Sequence, residues 1–206
     1  MRCERLRHYL CIALVVATIV TVTRPLVTSN TRYFYHEDDA HHFNHTVEMA
    51  REKRLNPHYF NKPALHFYLR MPVVYASAAW EKIHGRLGSL AEVRTRNPYG
   101  VGDYAFTPSH PTILWNRLES VAWCALIGLL VFSITRRMTN QLSSALLATA
   151  ITYASPEFLK NSYIIGVDTL MALLCLSCTA VALVSLSSPS RRRLLLCAFI
   201  AGLACA

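Results

Sequence analysis

The sequence predicts an all-α fold: a polytopic bundle of membrane helices, with amphipathic surface helices in the first non-cytoplasmic loop. Two observations favour it. The 206 residues are 53% hydrophobic and only 16% charged, with a mean hydropathy of +0.27, whereas soluble domains carry about 25% charged residues. The apolar residues are also gathered into blocks that arginine clusters flank, which is typical of membrane helices.

Five apolar blocks predict membrane helices at about residues 8–27, 115–135, 140–155, 163–186 and 193–206. The first runs into Thr23-Arg24-Pro25, which lacks the small-x-small pattern of a cleavage site, so an uncleaved helix is favoured over a signal peptide. At about 1.5 Å per residue the fifth covers roughly 20 Å of a bilayer core about 30 Å thick. The natural protein is therefore expected to continue past Ala206 or to be an inactive, truncated copy.

Three arginine clusters predict how these helices are oriented. They are Arg2 with Arg5 and Arg7, Arg136 with Arg137, and Arg191 with Arg192 and Arg193. Cytoplasmic segments are enriched in Lys and Arg, and all three clusters are cytoplasmic if the N-terminus is. Residues of about 28–114 then form a periplasmic, extracellular or lumenal loop, in which Asn44-His45-Thr46 is a weak glycosylation signal. Such scattered clusters argue for a lipid bilayer and against nucleic acid as a partner.

Two amphipathic helices are predicted inside this loop, and residues 97–111, rich in Gly and Pro, are predicted to be irregular. Apolar residues of the first helix recur at spacings of three and four residues: Ala40, Phe43, Val47 and Ala50. Asn56-Pro57 ends this helix. Pro63 begins the second, from Ala64 to about Ile83, which is predicted to be interfacial although it carries His66 and Arg70.

Seven cysteines are present, and none lies between Arg24 and Arg117. A disulfide framework would place cysteines in that polar stretch. Cys175-x-x-Cys178 has the spacing of half a zinc ribbon, but it lies in an apolar block without a second pair. The cysteines are therefore interpreted as small residues of membrane helices.

The acidic triplet Glu37-Asp38-Asp39 allows three interpretations. Asp38 can cap the first loop helix. It can also bind a metal, because Asp38, His41 and His45 share a helix face. His36 and His41 are five residues apart, however, whereas zincin histidines are four apart, so no metal is predicted and a divalent metal stays an alternative.

The third interpretation is catalytic. A carboxylate of the triplet can deprotonate an acceptor hydroxyl. If the leaving group is a lipid phosphate, it departs without protonation, and a nearby cation stabilises its negative charge. Lys62 and Arg117 are the candidate cations. Asp168 is a further candidate, because an acid within a membrane segment is costly and usually functional; a structural ion pair with Arg117 is the alternative.

The order of these motifs resembles the GT-C membrane glycosyltransferases, specifically the protein O-mannosyltransferase and aminoarabinose transferase group (glycosyltransferase family 39-like). Asp38-Asp39-Ala40-His41-His42 is similar to that group's Asp-Glu-x-x-Tyr/Phe. Glu48-Met49 matches its Glu-Met, and Lys62-Pro63-Ala64-Leu65 its Lys-Pro-Pro-Leu. Arg117-Leu118-x-Ser120 and the segment around Asp168 resemble the later motifs, so the resemblance extends from Arg32 nearly to the end of the chain.

The resemblance implies the N-terminal part of one inverting glycosyltransferase domain that uses a polyprenyl-phosphate sugar donor. Asp38, as the general base, and Asp39 would be the catalytic residues. Lys62 and Arg117 would bind the donor phosphate, with supporting roles for Asp168 and His41. Three departures stand out: Asp39 replaces a Glu, Ala64 replaces a Pro, and Asn61 stands where some relatives have a metal-binding acid.

Other functions remain open at this point. The acceptor hydroxyl could belong to a protein, a lipid or a glycan. A transporter fragment would account for Asp168 and the net charge of +9, although the other apolar blocks are nearly free of polar residues. A non-catalytic multi-pass membrane protein, whose loop binds a partner, is the remaining alternative.

Overall fold

The computed structural model describes residues 2–28, 37–59, 61–93 and 111–206, and in these ranges it contains helices and no strand. The helices are α1 (Arg2–Thr28), α2 (Glu37–Glu52), α3 (Leu65–Ile83), α4 (Pro111–Thr139), α5 (Leu142–Ala154), α6 (Pro156–Asn161), α7 (Asp168–Ser187) and α8 (Arg191–Cys205), with a 3-10 turn at Leu90–Glu92. The predicted all-α fold is confirmed. The predicted irregular segment at 97–111 lies outside the described residues, except for Pro111, which begins α4.

The chain divides into two compact units. One contains residues 1–24, 121–162 and 168–205; the other contains residues 25–120 and 163–167 together with Ala206. The first is called the apolar unit here and the second the loop unit, and each is described by itself.

The apolar unit holds most of the hydrophobic helices. Two helical segments in the described chain are long and apolar enough to cross a membrane, Thr112–Thr139 and Asp168–Ser187. The predicted membrane helices at about 8–27, 115–135, 140–155 and 193–206 correspond to α1, α4, α5 and α8. α5 has only 13 residues, so whether α1, α5 and α8 each cross the membrane stays a prediction.

The predicted start of the fourth membrane helix at residue 163 is wrong. Helix α7 begins at Asp168, where a carboxylate is favoured by the positive end of the helix dipole. Hydrophobicity alone placed the start earlier because Ile164, Ile165 and Val167 are apolar, but these residues are buried in the loop unit instead. The connection before them contains a short helix that was not predicted, α6, capped by the Ser155 side chain.

Hydrogen-bonding and sulfur contacts join neighbouring helices of the apolar unit. The Tyr153 hydroxyl of α5 donates a hydrogen bond of 2.7 Å to the Cys124 carbonyl of α4, beside the bare backbone of Gly128. Helices α7 and α8 place the Sγ atoms of Cys178 and Cys197 3.3 Å apart. The cysteines of this unit therefore include one close pair, which their interpretation as small residues did not anticipate.

The loop unit is built on α2 packed against α3. The predicted apolar face of α2 is confirmed, because Ala40, Phe43, Val47 and Ala50 are all buried. Three of these residues share a core with residues of α3, α4 and the segment 163–167: Phe43, Val47, Ala50, Val74, Ile113 and Ile165. The sequon residue Asn44 is buried in this unit as well.

The ends of α2 differ from the prediction. The helix begins at Glu37, so Asp38 is its second residue and not the N-cap. It ends at Glu52, before Asn56-Pro57, because Lys53 adopts a left-handed backbone conformation with φ of 52°, which the α-helix cannot continue. The second loop helix begins next to the predicted position, at Leu65, and ends at Ile83 as predicted.

Candidate functional site

The acidic pair lies in the first turn of α2. The side chain of Asp38 is outside the described part of the structure, but its backbone is helical. Asp39 is fully buried, at 0% exposure, and its Oδ1 accepts a hydrogen bond from the backbone N–H of Ile165. Because a buried carboxylate is held by such bonds, Asp39 attaches the start of α2 to the segment 163–167.

Arg70 is the centre of a second buried network in the loop unit. Its Nη1 donates to the Asn116 carbonyl at 2.8 Å and lies 3.4 Å from Glu119 Oε2. Its Nη2 donates to Ser120 Oγ at 2.9 Å and to the Gly166 carbonyl at 3.1 Å. The guanidinium thus ties α3 to the beginning of α4 and to the segment 163–167.

Burial lowers the pKa of Arg70 to about 10, against the opposing effect of the Glu119 and Asp39 carboxylates. The side chain therefore stays charged at neutral pH. Sequence reasoning noted Arg70 only as a polar residue of an interfacial helix. The available signal was its spacing from His66, since residues four apart share one face of a helix that is otherwise apolar.

His42 of α2 and His66 of α3 form a buried pair. His66 Nε2 lies 2.6 Å from His42 Nδ1, and His66 Nδ1 lies 2.7 Å from the Pro63 carbonyl oxygen. Burial lowers the pKa of His42 to about 2 and that of His66 to about 3. The nearby charges of Arg70 and Lys62 act in the same direction, so both imidazoles are neutral at physiological pH.

The other two histidines of this face of α2 contact an aromatic ring. His41 and His45 stack on Tyr59 with ring centroids 5.5 and 4.9 Å apart, and burial lowers the pKa of His45. Among the described side chains, no three His, Cys, Asp or Glu residues converge as metal ligands. His41, a predicted supporting residue, is therefore part of an aromatic stack that packs α2 against the segment before α3.

The predicted cations have different environments. Lys62 is half-buried, and its charge acts on both imidazoles of the His42–His66 pair. Arg117 is completely buried in the loop unit, at 0% exposure. Asp168 belongs to the apolar unit, where it is exposed and lines a cavity of about 240 Å³ together with Glu157, Asn161 and Thr169.

The loop unit therefore brings together two predicted site residues and three residues that were not assigned a role. Asp39 and Lys62 were predicted from the sequence, whereas His42, His66 and Arg70 were not. Asp39 and Arg70 interact electrostatically, and Arg70, Lys62 and the two imidazoles interact in the same way. Together with Glu119, these residues form a largely buried polar cluster with two cations, two carboxyl groups and two neutral imidazoles.

Comparison with known protein families decides the class. Residues 71–206, more than half of the chain, match the family model described as dolichyl-phosphate-mannose-protein mannosyltransferase. The chain belongs to this family. It is thus a membrane glycosyltransferase of the mannosyltransferase type, as the resemblance of its motifs implied. No curated protein and no solved structure matches the chain.

The mannosyltransferase match begins within α3 and includes Arg117 and Asp168. Asp38, Asp39 and Lys62 precede it, so their assignment depends on the motif resemblance and on the geometry of the loop unit.

Proposed function

We propose that this mannosyltransferase transfers a sugar from a polyprenyl-phosphate donor to a protein hydroxyl on the non-cytoplasmic side of the membrane, with inversion at the anomeric carbon. Membership of the dolichyl-phosphate-mannose-protein mannosyltransferase family is the observation that carries this proposal. The family description itself contains a lipid-phosphate sugar and a protein acceptor, and a protein is therefore favoured over a lipid or a glycan.

The reaction is a single displacement. The acceptor oxygen attacks the anomeric carbon and loses its proton to the Asp38 carboxylate, while the bond between that carbon and the phosphate oxygen breaks. The lipid phosphate leaves with the electron pair of that bond. One attack from the opposite face inverts the anomeric centre, so one base and one cation suffice.

The geometry of the loop unit supports Asp38 as the base. Asp39 ties the first turn of α2 to the Ile165 amide, which fixes the backbone position of its neighbour Asp38. A base must be held close to the proton that it abstracts. Asp39, which the resemblance placed beside the base, is proposed to position that turn and not to react.

Lys62 is proposed to bind the donor phosphate. It is half-buried and lies close enough to His42 and His66 for its charge to lower the pKa of both. Arg117, being buried, is proposed to add positive potential from within the unit. Asp168 and His41 are proposed as supporting residues, and no metal is required by this mechanism.

The test of the base uses the full-length natural protein and measures transfer of mannose from polyprenyl-phosphate mannose to a Ser/Thr peptide for wild type, Asp38→Asn and Asp39→Asn. We expect Asp38→Asn to lower the turnover number by about 10²–10⁴, the usual effect of removing a general base. Asp39→Asn is the matched control, because an amide oxygen can still accept from the Ile165 N–H. Equal and mild losses in both variants would show that Asp38 is not the base.

The test of the cation uses the same assay. Lys62→Ala should raise the KM for the donor, and Lys62→Arg should partly restore it, because the requirement is positive charge near phosphate. Lys82→Ala is the control, since Lys82 is an exposed lysine at the end of α3. An unchanged KM and turnover number in Lys62→Ala would exclude Lys62 from the donor site.

A further inference from the structure

The hydrogen bonds of the His42–His66 pair have a fixed direction. A carbonyl oxygen only accepts, so His66 Nδ1, 2.7 Å from the Pro63 oxygen, carries a hydrogen. A neutral imidazole has one N–H, so His66 Nε2 is a lone-pair acceptor. It must therefore receive its hydrogen bond from His42 Nδ1–H, 2.6 Å away.

By the same reasoning, His42 Nε2 has no hydrogen and can only accept a hydrogen bond. Its single hydrogen is on Nδ1, so Nε2 presents a lone pair. His42 is 1% exposed, and Nε2 has no hydrogen-bond partner among the residues that the structure describes. A buried acceptor without a donor is costly, and in native proteins such groups are usually satisfied by a ligand or by water.

The position of His42 relates this acceptor to the proposed reaction. It follows Asp38 by four residues in α2, and residues so spaced share one face of a helix. The charge of Lys62 also acts on the imidazole of His42. His42 is thus one helical turn from the proposed base and near the proposed phosphate-binding cation.

The chemistry of the ligand follows by exclusion. An anion is repelled by a lone pair. A cation is disfavoured because the imidazole already lies near Lys62 and Arg70, and no three metal-ligand side chains converge in the described part of the chain. A neutral hydrogen-bond donor remains, and the proposed substrates supply hydroxyl groups.

We propose that His42 Nε2 accepts a hydrogen bond from a substrate hydroxyl, and that the Pro63 carbonyl and His66 hold the imidazole in the tautomer this requires. The hydroxyl belongs either to the sugar of the donor or to the side chain of the acceptor. This inference rests on the proposed function, because it assigns a substrate contact in that same site.

The test compares His42→Asn with wild type in the mannosyl-transfer assay. An Asn amide nitrogen takes roughly the place of Nδ1 and can still donate to His66, but nothing replaces Nε2. We expect kcat/KM to fall about tenfold, which corresponds to about 1.4 kcal/mol and is typical of one lost hydrogen bond. His84→Asn is the control, because His84 is an exposed histidine at the end of α3.

Deoxy donors distinguish the two sources of the hydroxyl. If it belongs to the sugar, one of the 2-, 3-, 4- and 6-deoxymannose donors should be poor for wild type and lose nothing further in His42→Asn. If it belongs to the acceptor, His42→Asn should raise the acceptor KM and affect all donors equally. A His42→Asn variant with wild-type kinetics for every substrate would mean that Nε2 binds only water, and would overturn the inference.

Folding and the proposed function are checked separately. If His42→Asn does not fold, His42→Gln replaces it, since its amide oxygen can accept near the Nε2 position. Kinetics close to wild type in His42→Gln, together with a tenfold loss in His42→Leu, whose side chain accepts no hydrogen bond, then support the inference; equal kinetics in the two variants contradict it. Absence of Asp38-dependent transfer by wild type would refute the proposed function, whereas transfer that is insensitive to residue 42 would refute only this inference.

Discussion

His42 and His66 make the stability of the loop unit depend on pH. Their folded-state pKa values, about 2 and about 3, lie below the ordinary value near 6.5. The unfolded chain therefore binds protons that the folded chain excludes once the pH falls below about 6.5. Their contribution to the free energy of unfolding is fully present above that pH and is lost progressively as the pH falls towards 3.

The loss should approach about 1.4 kcal/mol per pH unit for each histidine. We expect the thermal unfolding temperature to drop between pH 7 and pH 5, and to drop less in the double variant His42→Asn with His66→Asn. Calorimetry or circular dichroism at several pH values measures this. His84→Asn serves as the control, and equal pH dependence in the double variant and wild type would contradict the prediction.

Single residues show where sequence reasoning was sufficient and where it failed. Asp38 and Asp39 were predicted as one catalytic acidic pair, and both lie in the first turn of α2. The separate role of Asp39 depends on the Ile165 amide, 126 positions later. Arg70 likewise contacts residues 46 to 96 positions away. No local pattern specifies such partners, because they become neighbours only when the helices pack.

At the scale of elements, the contact between α4 and α5 depends on a missing side chain. A Cβ atom at Gly128 would lie 2.0 Å from the Tyr153 hydroxyl oxygen and 2.6 Å from its ring. Gly128→Ala should therefore displace Tyr153 and break its bond to the Cys124 carbonyl. We expect a loss of about 1–3 kcal/mol, as for other overpacked cores, and a lower unfolding temperature in detergent.

Gly202→Ala is the matched control, since a Cβ there meets no atom within 4 Å. This change should leave stability unchanged or slightly raise it, because alanine is the better helix former. Equal unfolding temperatures for the two variants would show that a Cβ atom at position 128 does not displace Tyr153.

The pairing of α7 with α8 can be tested through Cys178 and Cys197. Their Sγ atoms are 3.3 Å apart, so a small movement brings them to disulfide distance. Oxidation with copper phenanthroline should link them, and trypsin then cuts at the exposed arginines 191 and 192 between them. Mass spectrometry should detect the linked peptides in wild type and Cys175→Ala but not in Cys178→Ala; linkage through Cys175 would contradict this pairing.

Elements were predicted best where periodicity was regular. The burial of the apolar face of α2 followed from apolar spacing alone. The spacing did not predict that polar residues on its other faces, among them His42, Asn44 and Thr46, are buried as well. The start of α7 was missed for a different reason. Ile164 and Ile165 are hydrophobic enough for a membrane helix. Both are buried in the loop unit instead, and Ile165 shares its core with Phe43. Hydropathy does not distinguish a residue that faces lipid from one that is buried in a protein core.

At the scale of the whole molecule, the membrane orientation stays a prediction. The arginine clusters predict a cytoplasmic N-terminus and α4–α5 connection, with the Asp38 loop on the other side. Asn56 and Asn140 are exposed, so single-cysteine variants at these positions, with the native cysteines replaced, report the orientation. An impermeant maleimide should label position 56 in intact cells and position 140 only after permeabilisation; the reverse result would invert the orientation.

Composition and hydropathy predicted the all-helical membrane class of the whole chain, because low charge and long apolar blocks leave few other stable folds. They did not predict that residues 163–167 belong with the loop unit. Backbone groups attach this segment to the loop unit: the Ile165 N–H donates to Asp39, and the Gly166 carbonyl accepts from Arg70. Every residue has these groups, so the side-chain sequence does not show which of them will be used.

Substitutions of Arg70 and of the residues that accept its hydrogen bonds should differ strongly in their effect. Two of its acceptors are backbone carbonyls, those of Asn116 and Gly166, and any amino acid placed there would still offer a carbonyl. An added Cβ at Gly166 would meet nothing closer than 3.6 Å. No other side chain supplies the planar set of donors that Arg70 brings to this buried position. In a library of all single substitutions, position 70 should therefore be almost invariant, while position 166 accepts alanine.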